Sequence, residues 1–346
     1  MAVAEMMDVV NGQPQQNQQA LALYNEAQQA MTQDDFDTAR RKLKEAHQLD
    51  PQDMLILDAY GAFLAEAGPQ QESVAALQLA VQQQPDKGFE KYMYLGQLLD
   101  AEDAISSIRK GVDVLQQQIA TLDGDDKEEG NEQLAGALCA LAERLLGNTD
   151  QLDTVAPECE QLLDRAQHIF PDSPEPLQVL ASLRVEQQQP EEALQHLRTS
   201  MQKWFPSLQS MMAESDAHSR DSNEEDDVTD EADDEVTAPL PSFEFRFETA
   251  KLLIELDETT EAAVQILDSL IEEDDSVPNV WYMLAMCLLG GGQTEAAAEA
   301  LQHGQKLLRK QSDTDDLAQD FCDLKVAIDE AAQERGQDQK VTPAAS

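Results

Sequence analysis

The sequence predicts an all-α protein: a solenoid of about seven helix–turn–helix repeats with a C-terminal capping helix. Three observations carry this prediction. Pro51 and Pro85 stand 34 residues apart, and the residues between them read as two amphipathic helices around a turn at Gly68. Upstream, Leu23, Ala27, Ala39, Leu43, Ala46 and Pro51 fall on the same offsets as Leu57, Gly61, Ser73, Leu77, Ala80 and Pro85. Aromatics make up only 5% of the chain, and no run alternates as a half-buried strand does. Small residues recurring in phase mark the places where two helices press together.

A 34-residue period with that small-residue pattern is the mark of a tetratricopeptide repeat. The third unit begins at Phe89. Tyr92, Leu95, Gly96 and Leu99 form its first helix and Ala104, Ile108 and Gly111 its second, with a turn about four residues shorter than the repeat norm. The acidic run from Asp123 to Asn131 reads as a solvated loop. A fourth unit pairs Leu138, Leu141, Ala142 and Leu145 with Cys159, Leu163 and Ala166, across a long connection from Gly147 to Pro157. The fifth pairs Leu177, Leu180 and Ala181 with Ala193, Leu197 and Ser200 and ends near Trp204.

From Glu214 to Glu235 there are twelve acidic residues and a single arginine, Arg220. Such a run repels itself and cannot bury a core. Helical patterning resumes with a sixth unit (Ala250, Leu253, Ala262, Ile266, Ser269) and a seventh (Trp281, Leu284, Ala285, Leu288, Ala297, Leu301, Gly304). Leu317, Phe321, Leu324 and Ile328 then form the stripe of a lone helix over 315–335 that reads as the cap of the array. The expected organisation is a disordered Gln-rich segment over 1–19, repeats one to five over 20–205 and a disordered acidic insertion over 206–241. Repeats six and seven with the cap follow over 242–335, then a disordered tail over 336–346. One continuous superhelix and two sub-arrays joined by an acidic tether both fit this pattern. The continuous form is preferred, because units five and six would otherwise each leave an apolar face uncovered.

Charge narrows the function. With 69 acidic and 23 basic residues, the formal net charge is −46. Phosphate recognition needs clustered Lys and Arg, so direct nucleic-acid binding is not expected, and an anionic membrane is disfavoured on the same ground. A basic protein is the complementary partner. Cys139, Cys159, Cys287 and Cys322 lack metal-ligand spacing and follow no secretory signal, so reduced packing cysteines of a cytosolic or nuclear protein are expected. His47, His168, His196, His218 and His303 share no motif, the glycines at 290–292 end a helix, and the acid runs lack the ligand spacing of a calcium loop. No catalytic residue, cofactor or metal is expected, and the chain is read as a non-enzyme.

In stacked helix pairs of this kind, first helices line the groove and second helices form the outer wall. By spacing, the candidate groove residues are Tyr24, Asp58, Glu66, Glu90, Met93, Asp100, Glu143, Glu186, Phe247, Glu255, Tyr282 and Met286. Carboxylates can pair with Arg and Lys, while rings and thioethers accept their aliphatic stems. A clamp for chaperone C-terminal carboxylates would need Lys, Asn and Arg there. Instead Tyr24 and Gln28, Asp58 and Ala62, and Met93 and Gln97 hold those places.

The stretches FEKYMYLGQLLDAEDAISSIRKGVDVL (89–115) and PSFEFRFETAKLLIELDETTEAAVQILDSLIEEDDSVPNVWYMLAMCLLG (241–290) resemble the dedicated assembly chaperones of large-subunit ribosomal protein L-four. The shared features are the short third unit, the acidic interruption before the sixth and the EEDD…VWYML run; the resemblance spans about 20–325. Ala285 stands where glycine is frequent, and the Gln runs are atypical. The resemblance implies a chaperone in cytoplasm and nucleus that holds the basic internal loop of its ribosomal client and passes it to a transient pre-ribosome. A histone chaperone of tetratricopeptide type, or a scaffold for some other basic protein, is the alternative that charge by itself leaves open.

Overall fold

A computed structural model describes residues 2–147, 152–220, 240–257, 260–309 and 315–341. Among the described residues there are sixteen α-helices and no strand. The chain divides into two compact units, Met1–Pro171 and Asp172–Ser346.

The first unit stacks four helix pairs: α1 (Ala2–Met31) with α2 (Phe36–Leu49), α3 (Met54–Ala67) with α4 (Gln70–Gln83), α5 (Glu90–Leu98) with α6 (Ala101–Ile119), and α7 (Asp125–Leu146) with α8 (Leu152–Ile169). The starts of α2 and α3 are fixed locally. Asp35 accepts a hydrogen bond from the Thr38 amide at 3.1 Å, and Asp53 accepts from those of Leu55 and Ile56, satisfying amides that the helix itself leaves unpaired. The in-phase residues are the contact points: Ala27, Ala39, Leu43, Leu57, Ser73 and Leu77 are buried. Gly96 shows why the small residues are needed. A Cβ there would stand 2.2 Å from Ile108 Cγ1, so α5 and α6 approach too closely for any side chain.

The four-residue deficit of the third unit lies elsewhere than expected. The connection between α5 and α6 is two residues, as it is between α3 and α4; it is α5 that is short, at nine residues against fourteen for α3. Removing about one helical turn keeps the apolar face in register, which shortening a two-residue turn could not do. The run expected to be a loop after Asp123 is also helical from Asp125. Asp125, Asp126 and Glu128 sit in the first turn of α7, where carboxylates favour the positive end of the helix dipole, and buried Gly130 packs on Ile119. Pro157 lies inside α8, which begins at Leu152, so the connection from α7 is shorter than the sequence suggested.

The second unit contains α9 (Glu175–Glu186) with α10 (Pro190–Met201), α11 (Phe205–Arg220), α12 (Phe243–Glu255) with α13 (Thr260–Glu273), α14 (Pro278–Gly290) with α15 (Thr294–Leu308), and α16 (Asp315–Val341). The boundary between units therefore precedes the fifth pair and not the acidic insertion. The Gln178 side chain donates to Phe245 O at 2.8 Å and to Thr249 Oγ1 at 2.7 Å, fastening α9 to α12 from 67 and 71 residues away. The apolar faces of pairs five and six are thus covered within one unit.

Helix α11 replaces the first part of the segment expected to be disordered. Leu208 is 2% exposed in the core formed with Trp204 and Phe245, an apolar anchor that outweighs the polar composition around it. The remainder of the acidic run, 221–239, lies outside the described residues. At the N-terminus α1 begins at Ala2, so the Gln-rich stretch read as disordered is helical, in keeping with the helix propensity of Gln and Ala. At the other end α16 runs to Val341, past the expected limit of the cap. In α13 it is Ala263 that is fully buried, while Ala262, the predicted contact, sits at the margin. The cap itself is as read: Phe321, Leu324 and Ile328 are buried. The ring of Phe321 fills the space over Gly304, where a Cβ would meet it at 2.7 Å.

Candidate functional site

Four first helices, α3, α7, α9 and α12, end on a carboxylate, and a fifth carboxylate, Asp100, lies between α5 and α6. Glu66 is the penultimate residue of α3, Asp100 follows the C-cap of α5, Glu143 lies in the last turn of α7, and Glu186 and Glu255 are the final residues of α9 and α12. All five are exposed. The negative end of the helix dipole disfavours acidic groups in the last turn, so the placement of Glu66, Glu143, Glu186 and Glu255 opposes intrinsic helix stability, whereas Asp100 is the N-cap residue of α6. It concentrates negative potential where a cation can reach it. Arg144 and Arg184 share two of these ends but are turned to structural tasks. Arg144 Nη2 donates to Leu99 O at 2.5 Å, and Arg184 Nη1 donates to Gln187 Oε1 at 2.7 Å.

Within the first unit the predicted residues fall into two groups. Asp100 and Glu143 line one cleft of about 550 Å³, together with Gln97 and Arg144. Asp58, Glu66 and Glu90 lie along α3 and α5, in company with two residues that spacing did not select. The Tyr94 hydroxyl donates to Glu66 Oε1 at 2.8 Å. Burial, followed by that hydrogen bond, pushes the Tyr94 phenol up to about 12. Lys91 is buried beside Asp58 and Glu90. Asp58 is half-buried, and loss of hydration raises its carboxyl above the ordinary range, with Lys91 opposing the rise. Lys91 could have been suspected as the sole cation within the first turn of an acidic first helix, but helical periodicity does not report burial.

The apolar candidates behave differently. Met93 turns back toward its own partner helix: its Sδ would stand 3.2 Å from a Cβ on Gly111 of α6. It is therefore a contact within the pair, not one of the residues that avoid the partner helix. Tyr24 is half-buried against the core of α1 to α3. In the second unit Phe247, Tyr282 and Met286 pack against the core, half-buried. The Tyr282 ring meets Phe321 of α16 at 5.2 Å, and burial, aided by Asp320 and Asp323, raises its phenol pKa. The cap thus covers part of the surface that Tyr282 was expected to present.

Other chemistry is sparse. Cys139, Cys159 and Cys287 are buried and Cys322 is exposed, all as free thiols. Burial pushes the Cys159 and Cys287 thiols up to about 11, away from the thiolate. His47 stacks on Tyr60 and His303 on Trp281. Among the described residues no group of three or more His, Cys, Asp or Glu is placed to hold a metal ion, and no helix is long and apolar enough to cross a membrane.

Comparison with known proteins agrees with this architecture. The tetratricopeptide-repeat family model matches residues 279–303, which cover most of α14 and part of α15. The chain is 30% identical over 200 residues, 58% of its length, to the Schizosaccharomyces pombe protein named "Probable assembly chaperone of rpl4", and covers 51% of that protein. An Emericella nidulans protein of the same name is 26% identical over 203 residues, again 58% of this chain, with 43% of its own length covered. The chain therefore spans about half the length of the curated relatives it matches. A solved structure of "Assembly Chaperone of RpL4 (Acl4)" aligns with a TM-score of 0.60 at 24% identity, over 81% of this chain and 99% of that one, and shares its fold. The chain has the fold of a tetratricopeptide-repeat solenoid, and its sequence is related to those of proteins named as probable assembly chaperones of rpl4.

Proposed function

We propose that the protein is a dedicated chaperone for a basic, extended segment of a large-subunit ribosomal protein of the L4 family. It acts in cytoplasm and nucleus and hands its client to a pre-ribosome. The observation that carries this reading is the recurrence of exposed carboxylates at the C-terminal ends of α3, α7, α9 and α12, held there against the helix dipole, with Asp100 between α5 and α6. The names of the curated relatives direct it to one client. A ribosomal-protein loop is strongly cationic and lacks its RNA before assembly. A surface of net charge −46 neutralises it, excludes adventitious RNA, and yields when ribosomal RNA phosphates compete.

Affinity purification of the endogenous protein at moderate salt, read by mass spectrometry, tests the assignment. Enrichment of the L4-type protein supports it. Recovery of core or linker histones without any ribosomal protein replaces it with the histone-chaperone reading.

A further inference from the structure

Lys91 is placed unlike the other lysines described in this protein. It is 4% exposed, and its Nζ has no hydrogen-bond partner among the described residues. Oδ1 of Asp58 is likewise buried without one. A Cβ on Gly88 would lie 3.6 Å from Glu90 Oε2, 3.7 Å from Lys91 Nζ and 3.9 Å from Asp58 Oδ2, so three charged groups ring one small space under the loop between α4 and α5. Burial lowers the Lys91 pKa although both carboxylates oppose it, and burial raises that of Asp58 although Lys91 opposes it. A purely structural ion pair would bring nitrogen and oxygen into contact and satisfy both. Here each is left incomplete.

We propose that Lys91 is an internal counter-ion for Asp58 and Glu90, and that these two carboxylates are a binding point for one Lys or Arg side chain of a basic partner. The proposal rests on the basic-client reading above and assigns it a specific contact. Glu90 is exposed and Asp58 half-buried, so a cation can approach the pair from solvent, whereas Lys91 lies beneath. With no client bound, Lys91 offsets the repulsion between two carboxylates in a partly dehydrated place. With a client bound, Lys91 competes for the same oxygens and weakens the contact, which favours release. An acidic surface without such a group would hold a polycation more tightly than a delivery step requires.

The test uses the full chain and an oligo-arginine peptide, with affinity measured by calorimetry at low and at moderate salt. Lys91→Met is expected to bind roughly threefold tighter or more, the scale of one partly screened charge contact. Lys127→Met, which removes an exposed lysine from the start of α7, should gain much less. The extra gain of Lys91→Met should vanish when Asp58→Asn is added. Equal affinities for the two lysine variants, or a gain that survives Asp58→Asn, overturn the counter-ion role. If Lys91→Met loses its cooperative melt, Lys91→Gln takes its place under the same criteria. Absence of any binding by the wild-type chain would instead remove the basic-client reading itself, and the proposal with it.

Discussion

Tyr94 and Glu66, 28 residues apart, join α5 to α3 through a 2.8 Å hydrogen bond from phenol to carboxylate. The carboxylate nearest the end of α3 is therefore shared between a structural bond and the acidic surface. Tyr94→Phe should cost about 0.5–1 kcal/mol, the modest value of a bond reached by solvent. Urea denaturation measures it, and an unchanged midpoint would show that the bond contributes nothing.

The same phenol, shifted first by burial and then by that bond, gives a pH dependence. The folded-state pKa of Tyr94 is pushed up to about 12, above its unfolded value near 10. A group raised on folding contributes stability that is fully present below its unfolded pKa and is lost as pH rises through the folded one. Stability should therefore fall between about pH 10 and pH 12 more steeply in the wild type than in Tyr94→Phe. Denaturation midpoints of the two proteins across that range, with phenolate absorbance read in parallel, check the difference.

Gly96 sets the distance between α5 and α6. Gly96→Ala would press a methyl group into Ile108 at a separation of 2.2 Å from Cγ1 and should destabilise the protein by about 1–3 kcal/mol. Adding Ile108→Ala opens that space, so the double variant should lose less than the sum of the two single losses. Strict additivity in the cycle would mean that the contact is not the cause.

Ala101, the first residue of α6, has φ +46°, in the left-handed region where a Cβ is strained. Ala101→Gly should relieve the strain by more than glycine adds to the entropy of the unfolded chain, for a net gain of about 0.5 kcal/mol. A thermal melt that shifts downward would contradict the strain assignment.

Asp100 and Glu143 line one cleft, together with Gln97 and Arg144. Replacing both with Lys should weaken binding of a basic client at least tenfold and flatten its dependence on salt, while the helical circular dichroism stays unchanged. Undiminished binding by a folded double variant would place the client elsewhere.

Much of this was legible in the chain itself. Periodicity reported the helix pairs, the small residues at their contacts and the capping stripe of Phe321, Leu324 and Ile328, because each follows from a repeat of 3.6 residues along one helix. Composition reported the charge. The helices that carry Asp58, Glu66, Glu90, Glu143, Glu186 and Glu255 could also be read, but not the place of Asp100, which caps the start of α6 instead of lying on α5.

Other features were decided only in three dimensions. The shortening of α5 instead of its turn, the anchoring of α11 by Leu208 and the return of Met93 toward Gly111 each depend on which surface is left to cover. The same holds for Gln178, which reaches Phe245 and Thr249 past the acidic run, and for Lys91, buried beside Asp58. A sequence orders residues along one helix, and that order determined the fold class of this protein, as composition determined its charge. Burial is a property of neighbours distant in the chain, so only the tertiary structure decided which carboxylates stand exposed and which are already held by a tyrosine or faced by a lysine.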